Sequence, residues 1–397
     1  MARSLYSLLQ SALALLNDLK ALLAAIQRDP SSAATATIAG SPFDAARDSA
    51  ALIRAHGTKL ALVVITLPWT PSAAASIVNA LLDGPVSSLF SAVEACSSRH
   101  YTTFARKELA SRSSRVLDAL QQQLLLVRRR FADAERQEQK STDTVTAILW
   151  EACDNVGRLA DMGVAGFMVH KTSQERDLLQ DAWDELKSWG DEDSCSDADD
   201  DDDDDDDDND DDNDNDTTDS DTVNTATVDN ASPTNSPAPQ PISSTTAQDL
   251  VDSLISQRPI SRLDPQGIRP RLEVSLKRLR LVIILYQGAL KRRLGTMPAV
   301  LTPLHPPPSS SSALECPVSR LDCLANIFQQ LPQRFEDVAA ALYSRDAASA
   351  DQTLAAFCED ALFASQLLKY DWNNKRDVFA EWLNQFNSEI TASFSPA

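Results

Sequence analysis

Apolar side chains recur at alternating spacings of three and four residues through most of this 397-residue chain. Such spacing places them on one face of a helix, as in the segment from Leu5 to Ile26. Only 10 residues are glycine, which disfavours the turn-dense sandwiches and barrels of all-β proteins. Helices with one apolar stripe each must bury those stripes against one another. The sequence therefore predicts an all-α protein built of two helical bundles, with four to five helices in each.

A strongly acidic stretch interrupts this pattern near the middle of the chain. Residues 191–221 contain 21 Asp or Glu and no Lys or Arg, and 199–208 is an unbroken aspartate run. The whole chain has a formal net charge of −22, so the remainder is nearly neutral. A stretch of this composition cannot bury enough apolar surface to offset the entropy of ordering its backbone. We predict an N-terminal bundle at 1–189, a disordered poly-Asp and Pro/Ser/Thr-rich linker at 190–245, and a C-terminal bundle at 246–397 with a Pro/Ser-rich loop at 295–314.

Few residue patterns in the chain suit catalysis or metal binding. None of the four histidines lies three residues after a glutamate, and HExxH and GxSxG are both absent. The six cysteines lack the CxxC spacing of zinc sites, and we interpret them as reduced thiols of an intracellular protein. We expect no catalytic residue, no cofactor and no metal site.

The distribution of apolar residues also bears on membrane contact. The longest strongly apolar run, 60–69, is about half the ~20 residues that a membrane span needs. The Leu-rich N-terminus carries Asp18 and Lys20, which argue against a signal peptide. We expect a soluble protein without membrane contact.

A basic helix lies after the acidic stretch. Residues 258–293 hold ten Lys or Arg and two Asp or Glu. The candidate basic-patch residues are Lys277, Arg278 and Arg280 in the middle of the helix and Lys291, Arg292 and Arg293 near its end.

Several roles are open for these charges. Basic residues at a helix C-terminus can be ordinary partners of the helix dipole, and the helix at 272–293 could instead contact the acidic stretch of the same chain. Direct binding of nucleic acid is not favoured, because base-stacking aromatic residues are absent and the linked polyanion would compete. The acidic stretch could be a solvated linker or a docking site for a basic surface such as a histone tail. Ser196 and Thr218 each precede an aspartate by three residues and weakly resemble acidophilic kinase sites.

Three segments carry a family resemblance: LLDGP at 81–85 leading to AVEAC at 92–96, LWEACD at 149–154, and LQDAWDEL at 179–186. They resemble the cyclin-D-binding protein family, also called the Grap- and cyclin-D-interacting (GCIP) family. The resemblance covers most of 41–190 and, beyond the linker, only the helical style. It implies vinculin/α-catenin-like bundles and a non-enzymatic interaction protein of nucleus and cytoplasm, because animal members are described as binding D-type cyclins and restraining the cell cycle. The poly-Asp stretch and the Pro/Ser-rich loop indicate a divergent member.

Two tryptophans, Trp150 and Trp183, lie in the segments that carry the resemblance. Each either fills the core of the first bundle, the interpretation we favour from sequence, or is a hot spot for a partner protein. Our leading hypothesis is a helical adaptor or regulator that binds partner proteins, including a cyclin or another helical regulator of the cell cycle. The alternative is a chaperone-like binder of basic proteins through 191–221.

Overall fold

All regular secondary structure in the described part of the chain is helical, which confirms the all-α prediction. The computed structural model describes residues 2–66, 68, 70–132, 139–191, 260, 264–298 and 316–392. The predicted disordered linker falls largely on 192–259, and most of the Pro/Ser-rich loop falls on 299–315. Those parts of the two predictions lie outside the described residues, whereas 190–191 and 295–298 are described.

Eleven α-helices occur in the described ranges, seven before the acidic stretch and four after it. A π-helical turn, Leu82–Val86, joins the third helix to the fourth, and a 3-10 turn, Leu294–Thr296, follows the eighth. The helices are α1 Ala2–Arg28, α2 Pro42–Ile65, α3 Pro71–Leu81, α4 Ser87–Ala95, α5 Ser98–Tyr101, α6 Thr103–Ala132, α7 Gln139–Asp191, α8 Ile268–Arg292, α9 Pro317–Tyr343, α10 Ala347–Leu367 and α11 Val378–Ile390.

Local sequence signals explain several of these boundaries. The Ser41 hydroxyl accepts a hydrogen bond from the Phe43 N–H at 3.2 Å, and Pro42 occupies the first position of α2, where its missing N–H costs nothing. α2 continues past Gly57 and ends at Ile65, before Pro68, which could not continue a helix ladder. α7 is broken at Gly163, whose backbone has φ 60° and ψ −172°, a conformation that is essentially restricted to glycine.

A glycine followed by a proline, as at Gly84–Pro85, predicts the end of a helix, but this prediction is wrong here. The chain stays helical there and widens into the π-helical turn. Pro85 has no N–H to donate to the helix ladder, and the Ser87 hydroxyl adds a hydrogen bond to the Leu82 carbonyl at 3.0 Å. The local hydrogen bonds are therefore rearranged without ending the helical path.

The last helix, α11, begins at Val378, although its apolar spacing would permit a start at about Asp371. The Asp371 carboxylate accepts hydrogen bonds from the backbone N–H of Asn373 and Lys375, at 2.9 and 2.7 Å, and this holds a turn. Asp377 then caps α11 by accepting from the Ala380 N–H at 3.2 Å. Two side-chain caps in succession set the later start.

The N-terminal helices bury the predicted seams. Leu5, Leu9, Leu16 and Leu23 of α1 are at most 1% exposed, and α1 packs along α6. α2 packs on α3, α4 and α6. The seam of α6 is buried too, at Leu117, Leu120, Leu124 and Val127.

The C-terminal helices pack around aromatic residues. The Tyr286 ring of α8 stacks on Phe328 of α9 with centroids 4.1 Å apart, and its hydroxyl donates to the Phe328 carbonyl at 2.6 Å. Phe335 of α9 meets Phe357 of α10 edge to face at 5.4 Å. These contacts fix the helices of the second half of the chain against one another.

Helices from both halves of the chain belong to one compact unit, Met1–Lys187 with Gln266–Ala397, while Ser188–Pro265 forms a second unit. Within the first unit the Asp322 carboxylate of α9 accepts the Thr103 N–H at 2.9 Å and so caps α6. Val318 and Leu321 of α9 join the core of the N-terminal helices. Separate folding of bundles at 1–189 and 246–397 stays a prediction.

Two helical stretches are apolar and long enough to cross a membrane by length and composition alone, Leu5–Arg28 and Pro71–Ala95. Core helices of soluble proteins have the same property, and Leu9 of the first stretch and Val78 of the second are fully buried in the protein. The absence of membrane contact stays a prediction.

Candidate partner-binding surfaces

Trp150 lies on the surface of α7 and is 37% exposed. Its indole N–H donates to the Thr58 hydroxyl at 2.9 Å, and the Arg54 guanidinium lies over the ring, 5.4 Å from its centroid. The core interpretation of Trp150 is therefore wrong. Adjacent helical residues point about 100° apart, and the neighbouring Leu149, which is 0% exposed, takes the core position.

The contacts of Trp150 belong to an antiparallel register between α2 and α7. Each step forward along α2 matches an equal step backward along α7, first of seven residues and then of four. The contacts are Arg47–Asp161 at 3.5 Å, Arg54–Asp154 at 3.7 Å and Thr58–Trp150 at 2.9 Å. These ion pairs are exposed and contribute little to stability. Together with the indole of Trp150 they form a charged surface where α2 and α7 meet. We call Arg54, Thr58 and Trp150 the Trp150 surface.

Trp183 is half-buried and contacts the basic helix. Its indole N–H donates to the Leu276 carbonyl of α8 at 3.3 Å. The Lys187 ammonium and the Arg280 guanidinium lie 5.1 and 6.0 Å from the ring centroid. The structure thus brings two candidate residues, Trp183 and Arg280, together, and Trp183 is neither a fully buried core residue nor a fully exposed anchor.

Two of the six candidate basic residues hold α11 in place. The Arg293 side chain is 2% exposed and donates to both carboxylate oxygens of Asp377, each at 2.8 Å, and to the Leu368 carbonyl at 2.8 Å. Arg278 donates to the Ala392 carbonyl at 3.2 Å. These contacts lie at opposite ends of α11, so their role in this structure is to fix α11 antiparallel to α8.

The Arg293 contact also changes the acidity of its partner. Hydrogen bonds from the guanidinium lower the pKa of Asp377 to about 2. The carboxylate is therefore ionised at neutral pH, and its charge is matched by a buried cation.

The other four basic residues, Lys277, Arg280, Lys291 and Arg292, are exposed. Lys291 and Arg292 border a groove of about 480 Å³ between α8 and the start of α11. Its apolar lining comes from Ile284, Val378, Phe379 and Trp382. The groove could not be found from the sequence, because Ile284 of α8 and Val378 of α11 come from positions far apart in the chain. We call this the α8–α11 groove.

The cysteines in the described part of the chain, Cys96, Cys153, Cys316, Cys323 and Cys358, are free thiols. Burial raises the pKa of Cys96 and of Cys153 to about 12, so both stay protonated and unreactive at neutral pH. Within the described ranges no three His, Cys, Asp or Glu side chains lie close enough to hold a metal ion.

The described part of the chain is thus all-helical and presents two candidate partner-binding surfaces, the Trp150 surface and the α8–α11 groove. Residues 46–192 match the family described as Grap2 and cyclin-D-interacting, through its N-terminal domain. For these residues the match confirms the resemblance seen in the sequence. Trp150 and Trp183 lie inside the matched region, and the six basic candidates lie outside it.

An uncharacterized protein of Schizosaccharomyces pombe is 26% identical to this chain over 161 residues. The similar region covers 40% of this chain and 47% of that protein. The chain thus spans about half the length of this curated relative.

Proposed function

We propose that the protein is a non-enzymatic helical adaptor or regulator, and that a D-type cyclin is a partner of its N-terminal helices. The observation that carries the proposal is the match of residues 46–192 to a domain family described as Grap2 and cyclin-D-interacting. Cell-cycle control in nucleus and cytoplasm, which the family resemblance implies, is part of the proposal.

The Trp150 surface is the contact site that we propose within this domain. Tryptophan and arginine are the residues most enriched in binding hot spots, and here Trp150 and Arg54 are both exposed and in contact. Leu62 lies one turn beyond Thr58 on α2 and is 54% exposed. A partner helix laid along this side of α2 would therefore cover an indole, a guanidinium and an aliphatic side chain together.

The test is binding of a purified D-type cyclin to the full chain and to Trp150→Ala, measured by titration calorimetry beside a thermal melt. We expect Trp150→Ala to bind the cyclin at least tenfold more weakly. Its free energy of unfolding should fall by only about 1–2 kcal/mol, because the indole is partly exposed. Leu178→Ala is the matched control, because Leu178 is 55% exposed in the same domain. This variant should bind the cyclin with unchanged affinity. Leu149→Ala, at a fully buried position, should lose about 2–5 kcal/mol of stability.

Two results would contradict the proposal in different ways. Unchanged affinity of Trp150→Ala would remove the Trp150 surface from the interface. Failure of the unaltered protein to bind any D-type cyclin would remove the cyclin, and affinity purification with mass spectrometry would then test the wider adaptor role.

A second candidate function rests on the acidic stretch. With 21 Asp or Glu and no basic residue, 191–221 offers a dense negative charge to a chaperone client such as a histone. Pull-down of core histones with the full chain and with a variant lacking 191–221 separates the two functions. The chaperone function requires that the deletion abolish histone capture, whereas the adaptor function requires that cyclin binding survive it.

A further inference from the structure

The α8–α11 groove has an aromatic wall that a close helix contact holds in place. A Cβ atom at Gly288 would lie 2.5 Å from Cε2 of Phe379, so only glycine lets this ring rest directly on the α8 backbone. The Phe379 and Trp382 rings are stacked, with centroids 5.6 Å apart and an interplanar angle of 7°. The wall is therefore preorganised for a ligand.

Exposed aliphatic residues extend the apolar surface at the mouth of the groove. Val378 is 78% exposed and Ile284 is 38% exposed, although both line the same space as the two aromatic rings. A volume of about 480 Å³ lies in the range of sites that bind ligand groups. The groove can therefore take up one bulky apolar side chain and desolvate it.

The charge at the rim of the groove is positive. Asp377 is the acidic residue of the lining, and Arg293 binds both of its carboxylate oxygens. Lys291 and Arg292 are exposed and have no ion-pair partner among the residues that the structure describes. An acidic ligand would match these two cations, while a basic one would be repelled.

We propose that the α8–α11 groove binds a peptide segment of a partner protein that carries an aromatic or leucine anchor next to aspartate or glutamate residues. The anchor enters between Ile284 and the stacked rings, and the carboxylates meet Lys291 and Arg292. This site lies outside residues 46–192 and is independent of the cyclin proposal. The acidic stretch of the same chain matches the charge but not the apolar wall, because 191–221 contains no Leu, Ile, Val or aromatic residue.

The test uses a random peptide library displayed on phage and selected against the full chain. The selected peptide, labelled with fluorescein, is then titrated with the full chain while its anisotropy is measured. We expect selected sequences to pair an aromatic or leucine residue with Asp or Glu. A glutamate-only peptide of equal charge should bind at least tenfold more weakly.

Variants assign the binding to the groove. Val378→Asp and the double variant Lys291→Glu/Arg292→Glu should each weaken peptide binding at least tenfold, and the double variant should also remove most of its salt dependence. Lys277→Glu is the matched control, an exposed position on the same helix outside the groove lining, and should bind within about twofold. Circular dichroism melts verify that each variant is folded.

Three outcomes would overturn the proposal. One is unchanged peptide binding by Val378→Asp, which would show that the peptide is held by charge alone and that its apolar anchor does not enter the groove. Another is selection of peptides without acidic residues. The third is binding only after deletion of 195–221, which would assign the groove to this chain's own acidic stretch instead of a partner.

Discussion

Arg293 is a fully charged side chain placed almost entirely out of water, and its neighbours satisfy it. It donates to Asp377 and to the Leu368 carbonyl, its guanidinium lies 4.9 Å from the Phe379 ring centroid, and its own carbonyl accepts the Trp372 indole N–H at 2.7 Å. A buried cation is tolerated only when it is paired and hydrogen-bonded in this way. One arginine thus ties α8 to the cap of α11 and to the loop before it.

Replacing Asp377 with asparagine isolates the charge of this pair. Asparagine still caps a helix, so the change removes the carboxylate charge and keeps the cap of α11. The Asp377 side chain is 41% exposed, so solvent weakens its contact with Arg293. We therefore expect the free energy of unfolding to fall by about 1.5 kcal/mol at pH 7, the low end of the range for a hydrogen bond between charged groups. Urea unfolding of the full chain measures it.

The direction of the Asp377 pKa shift determines how the stability of the protein depends on pH. The pKa of Asp377 is lowered to about 2 from 3.8, so its stabilisation is complete above the unfolded value and is lost as the pH falls from about 4 to about 2. The difference between Asp377→Asn and the unaltered protein should therefore shrink over that range. Ser41→Ala is the control, since the Ser41 hydroxyl caps α2 by accepting from the Phe43 N–H and does not titrate in this range, so its difference from the unaltered protein should stay constant. A constant difference for Asp377→Asn down to pH 2 would contradict the assignment.

At the scale of helices, α2 and α7 approach each other at a residue without a side chain. A Cβ atom at Gly57 would lie 2.4 Å from Cδ2 of Leu149 and 3.0 Å from Oε1 of Gln123. The Gly57 carbonyl also accepts a hydrogen bond from the Gln123 amide at 2.8 Å. The glycine weakens α2 as a helix but allows α2, α6 and α7 to pack closely.

Alanine at this position tests which effect is larger. Gly57→Ala should gain up to about 1 kcal/mol of stability from helix propensity. It should lose more, about 1–3 kcal/mol, from steric overlap, because Leu149 and Gln123 are buried and cannot move aside freely. Gly157→Ala is the matched control on α7, where nothing lies within 4 Å of the new Cβ, and it should be neutral or stabilising. Thermal melts of both variants decide, and a more stable Gly57→Ala would contradict the close-packing argument.

The helical seams could be predicted because periodicity depends only on local spacing. Leu149 follows that rule and is buried, whereas Trp150 was misassigned to the core because its place beside Leu149 does not show which way its side chain points. The Asp322 cap of α6 could not be predicted, because it joins residues 219 apart in sequence. The groove was missed for the same reason. Contacts between distant segments depend on tertiary packing, which local spacing does not encode.

At the scale of the whole molecule, the charges are strongly separated along the sequence. The acidic stretch at 191–221 contains 21 Asp or Glu, while Lys277 and Arg280 are exposed in the middle of α8. A polyanion on the same chain is present at high effective concentration and competes with external polyanions for such residues. The acidic stretch should therefore lower the affinity of the basic helix for DNA or heparin.

Removal of the acidic stretch tests this intramolecular shielding. We expect deletion of 195–221 to raise affinity for heparin or duplex DNA at low salt, with a steep loss of that affinity as salt increases. A variant with the same length and with Asn and Gln in place of Asp and Glu should behave like the deletion, which separates charge from chain length. Adding Lys277→Glu and Arg280→Glu to the deletion should remove the gain. The deletion should shift the thermal midpoint of unfolding by less than the ~2–4 °C that corresponds to 1 kcal/mol. Equal affinity of the deleted and the full chain for heparin or DNA at low salt would reject the shielding.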